Sequence, residues 1–171
     1  MGNSDSPLCA FRARHIATAL NEAVKVQMSD EPAKAADMLR SSRFDQAPVQ
    51  GHGHIEGWVL TAQLSEAANV KSVLRSLRDS AIVSAEASIG GVLQLLAKEG
   101  LVFTVADAGL AGFVTPSDLD RHAARSYFYL LISDVEMALA GIVRHNANTA
   151  EVVGRISDET RPRWMEAVTA G

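Results

Sequence analysis

A chain of 171 residues has room for one ordinary domain, or for two small repeats sharing a core, with a further helical piece. Hydrophobic residues at 47% and charged residues at 21% make a globular profile, which excludes a disordered chain. A net charge of −4 and a pI near 5.7, with no basic face in the pattern, exclude the electrostatic footprint of a nucleic-acid binder. The longest unbroken apolar run, Tyr127 to Ile132, falls far short of a membrane span, so no membrane association is expected. Met1 to Pro7 is polar and is expected to carry no secretory signal. Cys9 is the single cysteine, which rules out an internal disulfide and suits a reducing cytoplasm.

In chain order, residues 1–6 are expected to form a disordered tail. Phe11, Ile16, Ala19 and Leu20 then predict an amphipathic helix from Leu8 to about Asn21, with Arg12, Arg14 and His15 on its outer side. Cys9 reads as a packed or half-exposed thiol, because nothing near it in sequence supplies a paired base. Val24-Lys25-Val26 is a short strand, and Ser29-Asp30-Glu31-Pro32 opens a helix with an acidic first turn. That helix runs from Ala33 to Ser41 with Ala35, Met38 and Leu39 on one face. Ala47-Pro48-Val49 follows, then a Gly/His-rich hairpin from Gly51 to His54. His52 and His54, even with the distant His15, lack the further ligands a metal site needs; solvent-facing turn residues are the plainer reading. Leu64 to Leu77, with Val70, Val73, Leu74 and Leu77, predicts a helical stripe linking to Ile82-Val83, the next strand. A helix from Ile89 to Lys98 carries Val92, Leu93, Leu95 and Leu96, and Phe103-Thr104-Val105 and a turn at 107–109 lead onward.

The stretch that organises the chain is Gly112-Phe113-Val114-Thr115-Pro116-Ser117-Asp118-Leu119. It reads as a buried strand end passing through a Thr-Pro-Ser-Asp turn into a helix, where Thr and Asp can simply cap. Gly57-Trp58-Val59-Leu60-Thr61-Ala62-Gln63-Leu64, 55 residues upstream, repeats the pattern. Each copy is preceded by strand, helix, strand and tight turn, so an internal duplication is the economical explanation.

On Gln46-Ala47-Pro48-Val49 through Gly57-Trp58-Val59, and on Phe103-Thr104-Val105 through Leu119, the chain resembles a tandem pair of cystathionine-β-synthase (CBS) domains, a Bateman module. The likeness covers about residues 20–125, and its motif of Gly, two apolar residues, Thr or Ser, two residues and Asp is complete only in the second repeat. The resemblance implies an α+β fold: two strand-helix-strand-strand-helix repeats forming a pseudo-twofold pair, at 23–78 and 79–125. An N-terminal tail and helix at 1–22 precede them, and a C-terminal helical extension at 126–171 follows.

The same resemblance implies a cleft for an adenosine ligand such as AMP, ADP or ATP, with Asp118 taking the ribose hydroxyls. An ionised carboxylate is an acceptor with two oxygens, matched to a vicinal diol with two donors. Thr115 would offer a hydroxyl near ribose or phosphate, and Phe113 would line the base pocket. Val24, Phe44 and Asp45 would come from the facing repeat. Asp45 departs from what a phosphate tolerates, although beside an adenine amino group it can accept a hydrogen bond. Arg121, His122 and Arg125 are either phosphate contacts at the start of the long helix or a solvated face. In the first repeat Leu60 and Gln63 stand where Thr115 and Asp118 stand in the second. The pseudo-symmetric site, completed by Ile82, Gly100 and Leu101, is therefore expected to be weak or empty.

Beyond the pair, Asp120 to Arg144 is the longest helical pattern. Tyr127, Phe128, Leu131, Val135, Ala138, Leu139 and Ile142 make a wide apolar stripe that must bury against something. Thr149 to Ile156 and Arg161 to Val168, the latter with Trp164 and Met165, are expected as two shorter helices that cover it or pair across a dimer axis. The leading reading is a non-catalytic, cytoplasmic regulatory module with an adenine nucleotide as ligand, no cofactor, and homodimeric association. The alternative is a ligand-free dimerising scaffold that meets a protein partner through its C-terminal helices. An enzyme is the least supported reading: no nucleophile and base set, and no Gly-rich phosphate loop, appears.

Overall fold

The computed structural model describes residues 7–107, 109–146 and 157–163. The chain divides between Tyr127 and Phe128 into two compact units. In the first unit a short strand β1 (Thr18–Ala19) precedes the two repeats. The first repeat contains β2 (Val26–Gln27), α1 (Pro32–Ser41), β3 (Gln46–Gly51), β4 (His54–Leu60), α2 (Thr61–Leu64) and β5 (Arg75–Ser76). The second contains β6 (Ala81–Ser84), α3 (Ile89–Glu99), β7 (Val102–Ala106) and β8 (Gly109–Val114). Two four-stranded sheets result, in the orders β2-β3-β4-β5 and β1-β8-β7-β6.

Local chemistry explains the elements. Pro32 occupies the first turn of α1, where its missing N–H costs nothing, and Ala35, Ala36 and Leu39 form the buried face while Met38 turns outward. Ser88 caps α3 by accepting from the Gly91 N–H at 3.3 Å, and Gly100 ends it in the left-handed region at φ 75°. His52 and Gly53, at φ 49° and 83°, turn β3 into β4 in the conformation that matches strand twist. The duplication is visible in the register. Val49 faces Gly57 and Pro48 faces Trp58 in one sheet; Thr104 faces Gly112 and Phe103 faces Phe113 in the other. A bulge follows Val49 and, again, Thr104.

One core lies inside the first repeat around Val26, Leu39, Val49, Val59 and Leu64. A second joins the repeats: Trp58 of the first meets Leu101, Phe103 and Phe113 of the second, with the two phenylalanines edge to face at 6.4 Å. At the top of α2, Thr61 is buried and its hydroxyl donates to the Phe44 carbonyl at 2.6 Å. Thr61→Val is expected to cost about 1 kcal/mol, read as a lower urea midpoint at unchanged slope.

Two expected helices are corrected. Leu8 to Asn21 is not a helix: it forms two 3-10 turns, Pro7–Ala10 and Ala13–His15, and then β1. Ala13 and Ile16 are buried, but the Ala13 and Arg14 N–H groups donate to the Ala87 and Ala85 carbonyls at 2.8 and 2.9 Å. The backbone thus keeps only short turns of its own, such as the Ile16 N–H to the Ala13 carbonyl at 3.1 Å, and uses other donors to dock on the second repeat. Leu64 to Leu77 likewise breaks up, into the end of α2, a 3-10 turn at Val70–Val73 capped by Asn69, and β5. Its apolar spacing imitates one helix face because two surfaces are being served. Val70, Val73 and Leu74 pack on the first core, whereas Leu77 packs on the core between the repeats.

Helix α4 (His122–Asn146) begins in the first unit and supplies most of the described residues of the second. Of the stripe expected to bury, Tyr127 is buried, whereas Leu131, Val135, Leu139 and Ile142 are exposed, Val135 at 52% and Leu139 at 55%. By length and composition the helix is apolar enough to cross a membrane, with a mean hydropathy of 1.4. It meets that mark although its longest unbroken apolar run is short, since Asp134 and Glu136 interrupt the apolar pattern without lowering the average below that of a span. Residues 157–163 form a turn and one helical turn, tied by an Arg161–Asp158 ion pair at 3.1 Å. The tail 1–6, the helix at 149–156 and the stretch 164–168 with Trp164 and Met165 lie outside the described residues.

Candidate functional site

A cavity of about 450 Å³ opens between the repeats, and all seven candidate residues line it. Val24 and Phe44 arrive from the two ends of the β2-to-β3 passage of the first repeat, and both side chains are substantially exposed. Phe44 stands there because Arg43, at φ 59°, turns the chain sharply after α1, with the Phe44 N–H donating to the Leu39 carbonyl at 2.9 Å. Asp45 follows at the rim. From the second repeat, β8 delivers Phe113, and the 3-10 turn Pro116–Asp120 delivers Thr115, Asp118 and Arg121 at its two ends. The result is a cavity whose lining mixes apolar side chains with charged and polar ones.

Asp118 serves both as a cap and as a cavity wall. Its Oδ2 accepts from the Thr115 N–H at 2.8 Å and from the Thr115 hydroxyl at 2.9 Å, the capping box that its spacing suggests. Its Oδ1 accepts from the Thr18 hydroxyl at 2.9 Å and is paired with Arg121 Nε at 2.9 Å. The side chain is nearly buried yet faces the cavity, so its charge is held in place by four donors. The Arg121 guanidinium continues to the Ala17 carbonyl at 3.1 Å and to Thr18 Oγ1 at 2.6 Å.

His122 and Arg125 are not brought to the cavity; Arg125 instead lies 3.7 Å from Asp120. Thr18, Glu22, Arg43 and Gln46 line the cavity and were not legible as such. Thr18 was hidden by the helical reading of its segment. Gln46, whose side-chain amide donates to the Gly100 carbonyl at 3.0 Å, shows in sequence only as the residue before Ala47-Pro48-Val49.

A second cavity of about 350 Å³ occupies the pseudo-symmetric position. It takes Trp58 and Leu101, but not Leu60, Gln63 or Ile82, and Gly100 lines the first cavity instead. The reason is Arg75. It stands opposite Trp58 in the sheet as Thr18 stands opposite Phe113, and its guanidinium lies over the Trp58 ring at 4.6 Å. Among the described residues no three His, Cys, Asp or Glu side chains assemble to hold a metal ion, and His52 and His54 are exposed. Cys9 is exposed.

No family model and no curated protein matches the chain. Solved structures do. The CBS domain of a bacterial CNNM/CorC family Mg2+ transporter has 21% identity over 68% of this chain and 77% of its own, with a TM-score of 0.57. A structure of the CBS domain from the same transporter family in complex with ATP has 22% identity over 66% and 86%, with a TM-score of 0.57. A CBS domain-containing protein of unknown function from Bacillus anthracis has 18% identity over 66% and 94%, with a TM-score of 0.54. Two sheets related by an internal repeat, equivalent bulges and a cleft between the copies agree with these likenesses, and the chain has the fold of a CBS domain pair, followed in sequence by an additional helix.

Proposed function

We propose that the chain is a non-catalytic, cytoplasmic regulatory module that takes an adenine nucleotide in the cavity between its two repeats. The observation that carries the reading is that one cavity gathers both kinds of side chain: Val24, Phe44 and Phe113 offer apolar faces for a planar base, and Asp118, Thr115 and Arg121 offer polar groups. A carboxylate suits a ribose diol, and a guanidinium suits a phosphate. Regulation would follow from binding one arrangement of the repeats better than another, the only way a ligand shifts a population. The test is a thermal-shift and calorimetry series with adenosine, AMP, ADP and ATP. A ligand held at a hundred times its Kd stabilises the protein by about 2.7 kcal/mol. Silence across all four compounds rejects the reading.

A second reading is favoured by the exposed apolar side of α4, where Ile132, Val135 and Leu139 recur at spacings of three and four. It makes the module a homodimeric scaffold whose long helix meets a protein partner. Light scattering on the full chain and on an Ile132→Asp, Leu139→Asp variant tests it, with equal masses for the two proteins counting against it.

A further inference from the structure

Asp118 already holds an internal ligand. A carboxylate has about four lone-pair directions, and here each is answered by a donor. The two on Oδ2 come from Thr115, within the same turn. The two on Oδ1 come from outside the turn: the Thr18 hydroxyl at 2.9 Å and Arg121 Nε at 2.9 Å. Thr18 Oγ1 in turn accepts from the Arg121 guanidinium at 2.6 Å, and that guanidinium also donates to the Ala17 carbonyl at 3.1 Å. One hydroxyl donor and one guanidinium donor thus occupy Oδ1, leaving neither carboxylate oxygen free for a sugar diol.

What these contacts hold is small. Strand β1 is two residues long, pairing Thr18 with Phe113 and Ala19 with Gly112 on the edge of the second sheet. A two-residue edge strand has little ladder of its own, so side-chain ties at Thr18 and Ala17 matter to its attachment. At the pseudo-symmetric cleft the arrangement is absent in kind. Arg75 occupies Thr18's position, stacked on Trp58, and the residue corresponding to Asp118 is Gln63.

We infer that Thr18 and Arg121 form a latch on Asp118 that a diol-bearing ligand must displace, so that filling the cavity loosens β1 and the N-terminal segment docked beside it. The inference rests on the nucleotide reading and adds its affinity-setting residue and its moving part. The Thr18 hydroxyl competes with the ligand rather than contacting it, and Arg121, once released, points its charge into the cavity.

The test uses the full chain with AMP as the probe, calorimetry for affinity and amide hydrogen exchange for β1. In the parent protein, saturating AMP is expected to speed exchange at Thr18, Ala19 and Leu20 several-fold. Thr18→Val keeps the side-chain shape and removes the competing donor, so its AMP affinity is expected to rise several-fold, the effect of one hydrogen bond. Thr18→Ser retains the hydroxyl and is expected to behave as the parent. AMP binding with unchanged or slower exchange at β1 overturns the latch while leaving the nucleotide reading intact, and so does weaker or equal AMP binding by Thr18→Val. If the valine variant does not fold, the exchange result on the parent and the serine variant still decides. Failure of the parent to bind adenosine, AMP, ADP or ATP removes both proposals together.

Discussion

Asp118→Ala is expected to abolish adenine-nucleotide binding, lowering affinity by roughly 100-fold or more. Two charge-assisted hydrogen bonds to a ribose diol are lost together, each worth about 1.5–3 kcal/mol, and about 1.4 kcal/mol is a factor of ten. The same change removes the acceptor for the Thr115 N–H and hydroxyl and for Thr18, and leaves Arg121 without its carboxylate. Arg121 is partly exposed, so water takes over much of its solvation. The stability cost is then dominated by the lost cap and buried acceptor, about 2 kcal/mol. Asp118→Asn separates the two effects: one carbonyl oxygen can still cap the turn, while the charge that favours the diol is gone. Calorimetry with AMP on both variants, beside urea unfolding, reads binding and fold independently. A folded alanine variant with parental AMP affinity would reject Asp118 as the ribose ligand.

Gly112→Ala is expected to destabilise the first unit by about 3 kcal/mol, the upper range for forcing an atom into a packed region. A Cβ at this position would lie 2.5 Å from the Thr18 carbonyl oxygen and 3.2 Å from the Thr104 hydroxyl. The first of these is backbone, so relief requires β1 to leave the sheet edge, which also withdraws Thr18 from Asp118. Gly57 is the counterpart: its Cβ would collide with the Arg75 carbonyl of β5. The repeated glycine is thus explained by the close backbone approach of a short edge strand, β1 beside β8 and β5 beside β4. Urea unfolding measures the cost, and hydrogen exchange at Thr18 and Ala19 shows whether β1 detaches. Parental stability in Gly112→Ala would mean that β1 does not lie where its pairing puts it.

The duplication was legible because its signals are local. Gly57 and Gly112 mark the repeat by recurring in the same setting, and the hairpin glycine, the Pro-led helix start and the strand alternation each follow from what one or two neighbouring residues require of the backbone. The same holds for Thr115 and Asp118, whose three-residue spacing builds the capping box and aims the carboxylate at once. Phe113, Val24, Phe44 and Asp45 were named by resemblance and Arg121 by its place at the start of the long helix, and they come to one cavity because both repeats fold as that resemblance implies.

Residues 8–21 are not helical because N–H groups of Ala13, Arg14 and Leu20 are taken by carbonyls of the second repeat, and residues 64–77 broke up for another reason. Apolar residues three and four apart predict a helix only when a single surface receives them, and here the chain crosses from one surface to another within the window. The apolar average of α4 shows in a window and not in a count of unbroken runs, because two carboxylates hide it from such a count.

Residue order alone dictates two similar strand-and-helix units, a turn that presents Asp118, and a long apolar helix after them, since propensity, capping and alternation act over a few bonds. Which strand borders which sheet, that Thr18 from ahead of the first repeat reaches the carboxylate of the second, and that Arg75 covers Trp58 at the other cleft were decided only on folding. Those contacts join residues as far as 100 positions apart, and such pairs are chosen by packing and hydrogen-bond satisfaction across the whole unit rather than by any local preference.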